Sequence, residues 1–150
     1  MNKTINFTKL DFITIKPYLS LKNLALFTAV FIFIGIGTSP ATSIGMIMMF
    51  GLIYTTYPFA VGDKNGIDLL YATLPIKKSD IVVGRYFFAV MWNLLVAAVA
   101  VAASLVMVRA TSADMSTADI FVTALVCFGL FSLIGAIQLP IYFKYGYAKA

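Results

Sequence analysis

Hydrophobic positions along the chain gather into four long runs, divided by short polar stretches and one long one. A bilayer core about 30 Å thick is crossed by roughly 20 apolar residues in a helix. Residues 87–108 supply 22 positions without a charge, and residues 120–143 supply 24, interrupted only by Gln138 and Pro140. Residues 43–61 supply 19, with Pro58 near the end of the run. The first run, 24–37, has 14 and reaches spanning length by drawing in Leu21 and a snorkelling Lys22. A charged stretch of 23 residues precedes it and another apolar run follows at once, so it reads as a retained span and not a signal peptide. The pattern predicts an all-α membrane protein, residues 1–150 forming one transmembrane domain with helices over about 21–37, 43–61, 87–108 and 120–143.

Composition agrees. Of the 150 residues, 61% are hydrophobic and 11% charged, where soluble domains carry about 25% charge. Glu and His are absent and the acids are six Asp. Metal sites and general acid–base chemistry lean on those missing residues. With no paired acids and no metal-ligand spacing, the sequence offers no catalytic residue, metal site or cofactor site, and the expectation is a protein that is not an enzyme. The single Cys127 lies in an apolar run and reads as a packed small hydrophobe.

Charge placement sets the orientation. Lys3, Lys9, Lys16 and Lys22 precede the first span; Lys64, Lys77, Lys78 and Arg85 lie between the second and third; Lys144 and Lys149 follow the fourth. Ten of the eleven basic residues therefore fall on one side, and Arg109 alone marks the other. Positive charge is retained on the cytoplasmic side, which predicts that both termini and the 62–86 segment are cytoplasmic. The net charge of +5 then belongs to a membrane surface, not to nucleic acid.

Polar residues within the spans include Thr55, Thr56, Asn93, Ser104 and Gln138, none of them ionisable. Proton- and ion-coupled carriers place an acid or base at membrane depth, so a stand-alone secondary transporter is disfavoured. Small residues four apart, Ala98 with Ala102 and Ala100 with Ser104, together with Gly45 near Gly51, predict close helix packing. Asn93 and Gln138 are candidate path-lining residues.

The long polar stretch, "DKNGIDLLYATLPIKKSDIVVGRYFF" at 63–88, holds seven charges. Ile67, Leu70, Tyr71 and Leu74 follow i, i+3, i+4, i+7, one face of an amphipathic helix, which Leu69 broadens. Pro75 ends that helix, and Ser79 or Asp80 caps a second one running into the third span. Three fates are open to the apolar face: lipid headgroups, with Lys77 and Lys78 nearby for anionic lipid; the protein's own bundle; or a groove on a partner. Residues 1–20 mix Phe7, Leu10, Phe12, Ile13 and Tyr18 with Lys9, Asp11 and Lys16, and read as a cytoplasmic interfacial segment along the inner leaflet.

The same stretch resembles the membrane subunits of ABC transporters of the type-2 exporter group, small bacterial permeases of typically six spans. The likeness rests on Asp63, Lys64, Gly66, Asp68, Leu69, Leu70, Leu74, Pro75, Lys77, Lys78, Ile81, Val82, Arg85 and Tyr86 after the second span. It continues in "QLPIYFKYGYAKA", with Pro140, Lys144, Gly146 and Lys149. The resemblance implies that 62–86 is a coupling segment meeting a separate ATP-hydrolysing subunit. Ile67, Leu70, Tyr71 and Leu74 would be the contact face, and Lys77, Lys78 and Asp80 its polar rim. The chain has no G-x-x-x-x-G-K-[ST] stretch of its own, so the implied partners are an ABC ATPase in trans, a second permease subunit (identical or different) and membrane lipid. The implied place is the bacterial cytoplasmic membrane. Members continue for two further spans, so the expectation is a family member cut to four. The alternative is a small membrane scaffold, immunity or regulatory protein without transport.

Overall fold

The computed structural model describes residues 9, 11–13, 16, 21–65, 78–111 and 114–146. Four long helices account for nearly all of them: α1 (Leu21–Gly37), α2 (Pro40–Asn65), α3 (Lys78–Thr111) and α4 (Thr117–Tyr145). Three segments are long and apolar enough to cross a membrane: Pro40–Gly62, Ser79–Thr111 and Thr117–Tyr145. At 17 residues, α1 is shorter than these.

Local chemistry explains where the helices start. At the tight connection from α1, Ser39 caps α2: its Oγ accepts the Thr42 N–H at 3.2 Å. Pro40 takes the first helical position, where its missing N–H costs nothing. Before α4, Ser116 and Asp119 form a reciprocal capping box. The C-terminus of α4 closes at Gly146, whose φ of 75° suits a residue without a Cβ, and whose N–H donates to the Tyr142 carbonyl.

The helices extend past the apolar runs. α2 continues through Asp63 and Lys64 to Asn65, and α3 begins at Lys78, nine residues ahead of the apolar run at 87. At 34 residues α3 is about 51 Å long, so its ends project beyond a lipid core. Ser79 and Asp80, expected before this helix, lie inside its first turn. There Asp80 faces the positive end of the helix dipole.

Packing follows a diamond. α2 and α3 touch each other, α1 touches both, α4 touches both, and α1 does not touch α4 among the described residues. Contacts of Pro40 with Ser104, Gly51 with Trp92 and Phe59 with Arg85 run in opposite order along the two chains, so α2 and α3 are antiparallel. The core between them holds Ile44, Met48, Phe88, Trp92, Val96, Ala100 and Ala103, with Phe31 from α1 and Ile120 and Ala124 from α4. Ala100 and Ser104 are fully buried as their spacing predicted, whereas Ala98 and Ala102 are exposed. The outer face of α4, including Leu125, Leu130, Leu133 and Ile137, is apolar and exposed.

Candidate functional site at the basic end of the bundle

Three helices converge where α2 ends, α3 begins and α4 ends, and a cation lies between them. Arg85, on the second turn of α3, is only 7% exposed. Its Cζ sits 4.0 Å from the ring centroid of Phe59 on α2 and 5.7 Å from that of Phe143 on α4. A guanidinium is planar and weakly hydrated, so it stacks on an aromatic face where an ammonium would keep its water. A Cβ on Gly62 would lie 3.6 Å from Arg85 Nη2. The glycine thus leaves a methyl-sized space beside the charge.

Aromatic residues frame the cation. Phe59 meets the Tyr142 ring at 5.4 Å and the Phe143 ring at 5.1 Å. Ala89 and Leu139 are buried with Phe59, and Tyr86 and Tyr142 pack against the three. The Tyr86 hydroxyl reaches the Ala136 carbonyl at 3.5 Å, tying α3 to α4.

A fourth element arrives from the N-terminal segment. Residues 11–13 are helical, and the Lys16 N–H donates to the Phe12 carbonyl at 3.1 Å. Phe12 meets Phe88 edge-on at 4.9 Å and Trp92 at 6.3 Å, so it sits on the α3 face that also carries Arg85. The neighbouring Asp11 is 4% exposed, and among the described residues its Oδ2 accepts no hydrogen bond. Burial pushes the Asp11 carboxyl up to about 6, against the pull of the Arg85 charge.

One turn further along α3, Trp92 Nε1 donates to the Gly51 carbonyl at 3.0 Å. Beyond it on α2, Thr55 and Thr56 hydroxyls donate to the Leu52 and Ile53 carbonyls at 2.6 and 2.7 Å. Pro58 has no N–H to offer the Tyr54 carbonyl. Four successive carbonyls of α2 thus depart from simple helical bonding.

Of the residues singled out from sequence, Ile67, Leu70, Tyr71, Leu74 and Lys77 lie outside the described residues. Lys78 opens α3, and Asp80 is half-buried in its first turn. Asn93 is 3% exposed with an unbonded Oδ1, while Gln138 is half-buried two residues beyond the Ala136 level of α4. By helix rise Asn93 is about 10 Å deeper than Tyr86, which touches that level, so the two polar residues occupy different depths. Cys127 is half-buried with a free thiol. Among the described residues no group of His, Cys, Asp or Glu could hold a metal ion.

Arg85, Phe59 and Asp11 were not singled out from sequence as one cluster. Arg85, Phe88 and Trp92 do follow i, i+3, i+7, a stripe visible in the sequence. Asp11 carries no such signal, because its burial depends on a segment docking from far along the chain.

These features define a multi-pass helical membrane protein with a buried cationic junction at its basic end. A family model described as "ABC-2 family transporter protein" matches residues 6–150. The chain belongs to the ABC-2 transporter membrane family, and is thereby a transport-related membrane component. No curated protein and no solved structure matches it.

Proposed function

We propose that the chain is a membrane-spanning subunit of an ATP-driven ABC exporter, forming a translocation path and coupled to a separate ATPase subunit. The observation that carries this reading is the family match across residues 6–150. In the proposed arrangement α1 is a fourth span, and both termini and the 62–86 segment face the cytoplasm of a bacterial cell. Two permease subunits enclose the path, with lipid covering the outer apolar face. Ile67, Leu70, Tyr71 and Leu74 dock in a groove of the ATPase, and Lys77, Lys78 and Asp80 rim the contact. Asn93 and Gln138 are the candidate path residues. The chain lacks a P-loop, so nucleotide-driven movement enters through the partner and the work done here is conformational.

Purification from native membranes tests the reading. A nucleotide-hydrolysing subunit should copurify with the wild-type chain and be lost from Leu70→Asp and Tyr71→Asp variants. Absence of such a subunit from the wild type sinks the exporter reading. Its retention by both variants sinks the proposed contact face.

A further inference from the structure

The junction at the basic end offers one buried cation two kinds of partner. Arg85 lies on the Phe59 ring, while the Asp11 carboxylate, buried and close enough to feel the Arg85 charge, keeps Oδ2 unbonded. Burying a cation against rings alone is expensive; an apolar side chain of similar volume would fill the same space more cheaply. Burying a carboxylate oxygen without a hydrogen bond is costly too. Among the described residues, each group therefore lacks what the other supplies.

Three details make an exchange feasible. A cation over a ring is held without directional hydrogen bonds, so the guanidinium can leave Phe59 without breaking a bonded pair. The guanidinium carries five N–H donors that match a carboxylate. Gly62 leaves space beside Nη2, so movement meets no side chain from α2 there.

We propose that Arg85 is a positioning residue that exchanges between the Phe59 ring and the Asp11 carboxylate, setting the N-terminal segment in one of two arrangements against the long helices. In the arrangement described above, Arg85 is on the ring and Asp11 waits. In the other, a guanidinium–carboxylate pair ties the N-terminal segment directly to α3, and α2 and α4 lose their shared cation. Arg85 sits seven residues after Lys78, where α3 leaves the 66–77 connection. Displacement of that connection therefore reaches Arg85 through a rigid helix. The purpose given to the exchange, passing movement from an ATPase into the bundle, rests on the exporter reading; the exchange itself belongs to this chain alone.

The test is a distance measurement between spin labels at the exposed positions Ile13→Cys and Lys64→Cys, in the full chain with Cys127→Ser, in lipid nanodiscs. Two distance populations are expected. Asp11→Asn should leave only the ring-stacked population. Phe59→Leu, which keeps an apolar side chain but removes the ring, should change the ratio at least threefold toward the other. Arg85→Lys should shift it the same way, because an ammonium gains less from a flat ring. One population unchanged in the wild type and all three variants overturns the proposal, as do two populations indifferent to Asp11→Asn. A parallel measurement with the ATPase subunit separates the two claims. If no subunit binds, the exporter reading fails while the ratios still decide the exchange.

Discussion

The indole N–H of Trp92 on α3 donates to the main-chain carbonyl of Gly51 on α2 at 3.0 Å, a direct bond between two helices inside the membrane-spanning part. Interhelical hydrogen bonds in a lipid setting are worth about 0.6 kcal/mol on average, up to about 2. Trp92→Phe should therefore destabilise the chain by about 1 kcal/mol, somewhat more if lost ring area is not refilled. Reversible unfolding in mixed micelles reads this. A variant as stable as the wild type would show that the Gly51 carbonyl is satisfied without the indole.

Close approach at the same level gives a second expectation. A Cβ on Gly51 would fall 2.7 Å from Val96 Cγ1, nearer than two carbons tolerate. Gly51→Ala should cost about 1–3 kcal/mol, the range for overpacking. Val96→Ala alone removes buried methyls and should cost about 1–2 kcal/mol. The double variant should be more stable than the sum of the two losses predicts, because each change relieves the other. Strict additivity in the cycle would show that the helices separate freely at this point.

Acidity should act through Asp11. Its carboxyl titrates at about 6 in the docked arrangement, raised from 3.8 by burial and opposed by Arg85. A raised carboxyl pKa means docking is favoured by protonation: the contribution is fully present below 3.8 and is lost as pH rises through about 6. The difference is on the order of 3 kcal/mol. Amide-exchange protection at residue 16, whose N–H donates to the Phe12 carbonyl at 3.1 Å, should rise between pH 7.5 and 5 after correction for the intrinsic exchange rate. Asp11→Asn should be protected equally at both pH values; a variant that retained the pH response would assign it to another group.

The cap of α4 gives an expectation far from the junction. Ser116 Oγ accepts the Asp119 N–H at 3.2 Å, and Asp119 Oδ2 accepts from the Ser116 N–H and hydroxyl at 3.3 and 2.8 Å. Ser116→Ala should cost about 1 kcal/mol and fray the first turn, raising amide exchange at residues 117–119. Exchange unchanged there would mean that water satisfies the helix end equally well.

Long apolar runs were legible because lipid thickness dictates their length. The first apolar run, taken as 21–37, coincides in its bounds with helix α1, which is shorter than the three membrane-capable segments. Helix ends were not legible in the same way: Asp63, Lys64 and Ser79 look like linker but continue helices beyond the apolar core. Small-residue spacing gave one packing face and one exposed one, since i, i+4 pairs arise on every side of an alanine-rich helix. Asn93, taken from sequence as a candidate path residue, is buried in the bundle, where a polar side chain in an apolar run avoids lipid. Arg85 and Asp11 counted as ordinary charges, since a sequence gives their number and side but not the aromatic cover that takes them from water.

Because α1 and α4 each rest on α2 and α3 and, among the described residues, not on each other, the order of assembly is constrained. Neither outer helix has a complete docking surface until the central antiparallel pair has formed. α1 precedes α3 along the chain, so its packing is complete only after α3 has been made. α4 follows α2 and α3 and meets a surface already built. The central pair is thus the template for both outer helices.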